Sequence, residues 1–162
     1  MAKAATATPS LASSRSSGSD PVDAFVRWFE DVNAQDVLSV GGKAASLGEM
    51  FGALSQKGVR IPNGFATTVS AYERFMDAPV VLEAWAAHAE DARRLESDVL
   101  RATTLREALE ALFASGDPDD QVDLHARASL ARGLVRSTPV PIDVDRSLRI
   151  AHKRLANEYV GD

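Results

Sequence analysis

The chain has 162 residues and a mass of 17.3 kDa, the size of one ordinary domain or of a domain with a tail. Hydrophobic residues make up 45% and charged residues 25%, which is globular composition; 18 Lys and Arg against 23 Asp and Glu leave a net charge of −5, which argues against general affinity for nucleic acid or an anionic membrane. No cysteine occurs, so disulfides, thiolate metal sites and cysteine nucleophiles are excluded, and no apolar run reaches the roughly 20 residues of a membrane span.

Thirteen of the first twenty residues are Ala, Ser or Thr. Such a segment buries too little apolar surface to offset its ordering entropy, so residues 1–22 are expected to form a disordered tail. An organelle transit peptide has a similar composition, but an untargeted tail is the favoured explanation, and cytoplasm is the default location. The folded part is expected over residues 23–162.

Residues 24–29, rich in aromatic and apolar side chains, predict a short strand. A polar connection from Glu30 to Asp36 follows. Residues 42–57 predict a helix, with Leu47, Met50, Phe51 and Leu54 on one stripe and Gly58 as its stop. Val59 to Ile61 and Phe65 to Thr68 predict two extended stretches around a Pro62-Asn63-Gly64 turn, with Gly64 tolerating positive φ. A second helix is expected from Val69, with Ser70 and Glu73 at capping-box spacing and Tyr72, Phe75 and Met76 on its apolar side.

Beyond residue 80 the pattern is helical almost throughout. Val81, Leu82, Trp85, Ala86 and Ala89 form one stripe. Thr104 and Glu107 have capping-box spacing ahead of Leu105, Ala108, Leu109, Leu112 and Phe113. Gly116-Asp117-Pro118-Asp119 breaks the chain before a weaker helical pattern over 121–136. A rigid Thr138-Pro139-Val140-Pro141 loop leads into a final helix, where Pro141 suits the first turn and Leu148, Ala151, Leu155 and Tyr159 form the buried face. The expected fold is α+β: short strands with an early βα unit, then a mainly helical portion. The final helix runs almost to the last residue, which is mild evidence that the chain stops inside a larger domain.

The stretch with chemical content is Gly41-Gly42-Lys43-Ala44-Ala45-Ser46-Leu47-Gly48-Glu49-Met50. Free N–H groups and partial positive charge at a helix start attract anions, and glycine lets the backbone approach a phosphate oxygen closely. Lys43 in a first turn opposes the helix dipole, at a cost of about 0.3–1 kcal/mol when exposed, and an anion there would relieve it. The same residues also fit a tight turn with Lys43 pointing into water, and spacing alone does not choose. A Walker loop is ruled out: the glycine spacing is wrong, and Ala44 stands where Ser or Thr is needed. Glu49 lies six residues from Lys43, too far around the helix for a direct pair. His88, His125 and His152 are too scattered to form a metal motif.

The string SVGGKAASLGEMFGALSQKGVRIPNGFATTVSAYERFM, Ser39 to Met76, closely resembles the opening of phosphoenolpyruvate synthases (pyruvate, water dikinases). The likeness is dense from about residue 24 to 78 and looser, but in register, from about 126 to 160, where LARGLVRSTPVP precedes a helix. The resemblance implies a partial ATP-grasp-like nucleotide-binding domain. It implies that Lys43 touches ATP phosphates, with Gly41 and Gly42 shaping the approach. Thr67 and Thr68 match the family's A-T-T segment; Thr68, like Ser70, is expected to cap a helix rather than hold a ligand. ATP and Mg²⁺ are the implied cofactors, though no residue here is assigned to the metal.

The family enzymes are several times longer. An Arg-Ser-Ser-Ala-bearing phosphate motif, a phosphorylated-histidine domain and a pyruvate-binding barrel are expected beyond this stretch. None of the three histidines has the Gly/Thr-rich setting of the family's acceptor, so no catalytic residue is assigned to this chain. The chain is expected to be an ATP-binding N-terminal fragment, inactive alone, that meets pyruvate only through the rest of the enzyme. The alternatives are the same domain from a pyruvate, phosphate dikinase or an antibiotic phosphotransferase, or a stand-alone non-catalytic binding module.

Overall fold

The computed structural model describes residues 24–82, 98–114, 116–117 and 119–159. The expected tail over 1–22, and Trp85, Ala86, His88 and Ala89, lie outside them. The described elements are β1 (Val26–Trp28), α1 (Val37–Ser55), β2 (Phe65–Thr67), α2 (Val69–Met76), α3 (Leu105–Ala114), α4 (Gln121–Ser137) and α5 (Ile142–Tyr159). Among the described residues the architecture is mixed and mainly helical, with one two-stranded sheet.

The strands pair antiparallel, with Val26 opposite Thr67, Arg27 opposite Ala66 and Trp28 opposite Phe65. β1 is shorter than predicted because Phe29 turns into a 3-10 turn over Phe29–Asp31. The expected extended stretch Val59 to Ile61 forms no strand; only Phe65–Thr67 reaches β1. Gly64 does not use positive φ, contrary to expectation. It is needed for space, because a Cβ there would stand 2.6 Å from Cε2 of Phe29. The Phe29 N–H donates to the Gly64 carbonyl at 2.9 Å, closing the hairpin ends together.

α1 ends as predicted. Gly58 takes φ 74°, its N–H donates to Ser55 O at 3.0 Å, and the Val59 N–H donates to Leu54 O at 3.1 Å. This is a Schellman closure, which a glycine in the left-handed region makes without steric cost. The buried face of α1 differs from the predicted stripe. Ala45 and Gly48 are buried, whereas Met50 is exposed and Leu47, Phe51 and Leu54 are only half-buried. The helix lies too close to Val32 for large side chains to sit between them.

α2 is capped by Thr68, not by the expected Ser70–Glu73 box. The Thr68 hydroxyl accepts from the Ala71 N–H at 3.2 Å and donates to Ala24 O at 2.7 Å. Ala71 is the buried residue of α2; Phe75 and Met76 pack on the helical core, and Tyr72 faces solvent. The Thr104–Glu107 box forms as predicted, with the Glu107 N–H donating to Thr104 Oγ1 and the Thr104 N–H to Glu107 Oε2, both at 3.3 Å.

Two apolar clusters form among the described residues. Val99, Leu105, Ala108, Leu112 and Leu134 join α3 to α4. Each buried leucine there contributes about 1.5–3 kcal/mol. Val26, Trp28 and Ala151, with Phe65, Leu148 and Leu155, join the sheet to α5. The predicted α5 stripe therefore holds, except that Tyr159 is exposed and instead donates its hydroxyl to Asn63 O at 3.3 Å. Arg74–Asp143 ties α2 to α5 and Arg106–Asp77 ties α3 to the end of α2, each at 2.9 Å. Among the described residues no helix is long and apolar enough to cross a membrane.

Candidate functional site

Inside α1 the backbone leaves helical geometry at one residue. Gly41 has φ 80° and ψ 159°, between a single turn over residues 37–40 and the main helical run from Gly42 onward. An L side chain is strained at that φ, so this position demands glycine. The break makes the N–H groups just after it first-turn groups, which lack partners four residues back. They carry the partial positive end of the helix dipole.

The turn is open. A Cβ on Gly41 or Gly42 would meet nothing within 4 Å. Nothing among the described residues therefore requires Gly42 to lack a side chain. An approaching ligand atom would benefit from it. The Ser46 hydroxyl donates to Gly42 O at 2.9 Å, so that carbonyl is engaged. Sequence reading passed over Ser46; its spacing, four residues after Gly42, was the available signal.

Lys43 is exposed in this first turn, and among the described residues no carboxylate forms an ion pair with it, Glu49 included. Lysine paired to nothing at the positive end of a helix is unfavourable by itself and favourable beside an anion. Gly41, Gly42 and Lys43 are consecutive at this break, with Gly41 half-buried and Gly42 and Lys43 exposed.

The threonines divide. Thr68 is 7% exposed, and its hydroxyl is occupied by the cap and by Ala24 O. Thr67, at the end of β2, is exposed opposite Val26. His125 and His152 are exposed on α4 and α5. Among the described residues no three His, Asp or Glu side chains converge to hold a metal ion.

α1 is placed by a stiff connection. Asn33 and Asp36 cap the second 3-10 turn, Ala34–Asp36, reciprocally: the Asn33 N–H donates to Asp36 Oδ2 at 2.9 Å and the Gln35 N–H to Asn33 Oδ1 at 2.8 Å. The Ser39 hydroxyl then donates to Asp36 O at 2.9 Å, fixing the short turn that leads into Gly41.

Residues 37–162 match the family described as the pyruvate phosphate dikinase AMP/ATP-binding domain. The chain is similar to a phosphoenolpyruvate synthase of a Synechocystis species, 34% identical over 136 residues, covering 84% of this chain and 14% of that protein. It is 34% identical over 139 residues to the phosphoenolpyruvate synthase of Neisseria meningitidis serogroup B, and 31% over 139 residues to that of Escherichia coli, in each case 86% of this chain and 14% of the relative. The chain therefore spans about a seventh of the length of these curated relatives.

Proposed function

The chain belongs to the pyruvate phosphate dikinase AMP/ATP-binding domain family, and from that premise we propose that residues 23–162 are the leading part of the nucleotide-binding domain of a phosphoenolpyruvate synthase. In this reading the location is cytoplasmic and the finer fold is ATP-grasp-like. The names of the relatives favour the synthase over a pyruvate, phosphate dikinase or an antibiotic phosphotransferase.

The parent reaction consumes ATP, pyruvate and water. ATP phosphorylates an enzyme histidine, AMP and phosphate leave, and the phosphohistidine passes its group to pyruvate, giving phosphoenolpyruvate. In this reading the acceptor histidine and the pyruvate site belong to the rest of the enzyme, and this chain binds phosphate. Lys43 supplies a cation, the first-turn N–H groups supply oriented donors, and Gly41 and Gly42 keep the approach clear. Thr67 is a secondary candidate. Magnesium would supply neutralisation of phosphate charge, and among the described residues no three His, Asp or Glu side chains converge to hold it.

The observation that carries this reading is an exposed lysine, unpaired among the described residues, directly after an open glycine turn in which Gly41 has positive φ. Titrating the ¹⁵N-labelled chain with Mg-ATP tests it. The amide signals of residues 41–44 should move, with a Kd no tighter than the high micromolar range for this stretch alone. Lys43→Ala should weaken binding about tenfold, the size of one charge-assisted contact, and leave the melting temperature nearly unchanged. Unmoved amides in that turn, or equal affinity in the variant, would reject the site.

A further inference from the structure

Gly48 is buried on α1, five residues after Lys43. A Cβ there would stand 2.5 Å from the carbonyl oxygen of Val32 and 2.7 Å from its Cβ and Cγ1. Val32 cannot easily give way. It is 5% exposed and lies between the two 3-10 turns, the second of which is locked by the Asn33–Asp36 capping box. The first turn is fastened to the sheet through the Phe29 N–H to Gly64 O bond, with the Phe29 ring filling the space a Gly64 side chain would need. Close contact thus runs without interruption from the sheet, through Phe29 and Val32, to Gly48.

We propose that Gly48 is a positioning residue for the phosphate-binding turn. Its missing side chain lets α1 rest on the Val32 backbone, and that seat sets where Gly41, Gly42 and Lys43 stand. This rests on the phosphate-binding reading above. On a regular helix Lys43 lies about 7.5 Å along the axis from Gly48 and about 140° around it. Lys43 therefore faces outward while Gly48 faces the seat. Ordinary contact begins near 3.4 Å, so Gly48→Ala must drive α1 away from Val32 by about 1 Å. Displacements of that size disrupt hydrogen-bonded positioning. The same helix supplies a control, because a Cβ on Gly52 would meet nothing within 4 Å.

The test is the Mg-ATP titration of the labelled chain, run well below the melting temperature on Gly48→Ala, Gly52→Ala, Lys43→Ala and the Lys43→Ala/Gly48→Ala double variant. Gly48→Ala should lose about tenfold in ATP affinity and shift the unliganded amide signals of residues 41–44. Gly52→Ala should bind like the parent. The double variant should bind no more than about twofold more weakly than Lys43→Ala alone, since both remove the same contact. Wild-type affinity in a folded Gly48→Ala chain, or losses that simply multiply in the double variant, would overturn the positioning role while leaving the phosphate site intact. If Gly48→Ala does not fold, Val32→Ala carries the test. It loosens the seat without overlap and should lose about threefold in ATP affinity; unchanged affinity overturns the proposal. If Lys43→Ala binds like the parent, or the parent turn does not respond to ATP, the phosphate reading fails and the role of Gly48 fails with it.

Discussion

The guanidinium carbon of Arg154 stands 4.0 Å from the centroid of the Trp28 ring. Arg154 also pairs with Glu30 and, at 3.2 Å, with Glu158, while the Trp28 ring meets Phe65 edge-on at 5.5 Å. One α5 side chain therefore covers the outer side of the sheet's main aromatic contact and reaches the first residues of the connection toward α1. Its stem shields apolar surface and its head remains hydrated.

Arg154→Ala should destabilise the chain by about 1 kcal/mol in urea unfolding, combining a half-exposed cation–π contact with lost ion pairs and stem packing. Arg154→Lys should recover less than half of that, because a planar guanidinium stacks on an indole face and an ammonium does not. Full recovery by lysine would show that charge alone matters.

Two solvent-accessible carboxylates should contribute modestly to the loss of stability in acid. The Thr103 backbone N–H, then its hydroxyl, then the Thr104 N–H hold the Glu107 carboxyl below its ordinary value. The Arg74 side-chain hydrogen bond does the same chiefly for Asp143. A lowered folded-state pKa means the unfolded chain binds protons first. The contribution is thus complete above the ordinary carboxylate range, near pH 4, and is lost as pH falls through the depressed values. Melting temperature should be flat from about pH 7 to pH 5 and fall below about pH 4. Glu107→Gln should be less stable at neutral pH and show a shallower acid slope. An unchanged slope would remove Glu107 from the account.

Three glycines of α1 and its stop should respond differently to alanine. Gly58→Ala should cost about 1 kcal/mol or more, because φ 74° strains an L side chain. Gly52→Ala should stabilise by about 0.5–1 kcal/mol, since the position is helical and open. Gly48→Ala should destabilise, through overlap with Val32. Thermal melts of the three variants would separate conformational, propensity and packing effects within one element.

Local signals were legible in the sequence where they depend on neighbours along the chain. The Thr104–Glu107 box and the Gly58 stop follow from backbone chemistry within a few residues and appear as read, whereas α1 starts at Val37, five residues before the predicted start, with its break at Gly41. Burial was legible only where a stripe met a partner large enough to cover it, as Leu148, Ala151 and Leu155 meet the sheet. For α1 the same reasoning failed, because a helix can approach a turn closely only through its small residues, and periodicity counts large ones. Ser70 and Glu73 had capping spacing as good as that of Thr104 and Glu107. Thr68 took the cap because its hydroxyl also reaches Ala24, 44 residues away in sequence.

What the sequence determined by itself is the chemistry on offer: no thiols, an acidic surface, a glycine turn carrying one lysine, and a family resemblance centred on that turn. The tertiary structure decided which of those groups remain available. Thr68 is consumed by a cap and a long-range bond, whereas Lys43 is left exposed after a backbone break. It also decided where the turn is held, since the Val32–Gly48 contact joins residues from two different elements. The physical reason is range. Turn geometry and capping act over a few residues and are written in order along the chain, while packing and hydrogen-bond satisfaction join residues that only the folded chain brings together.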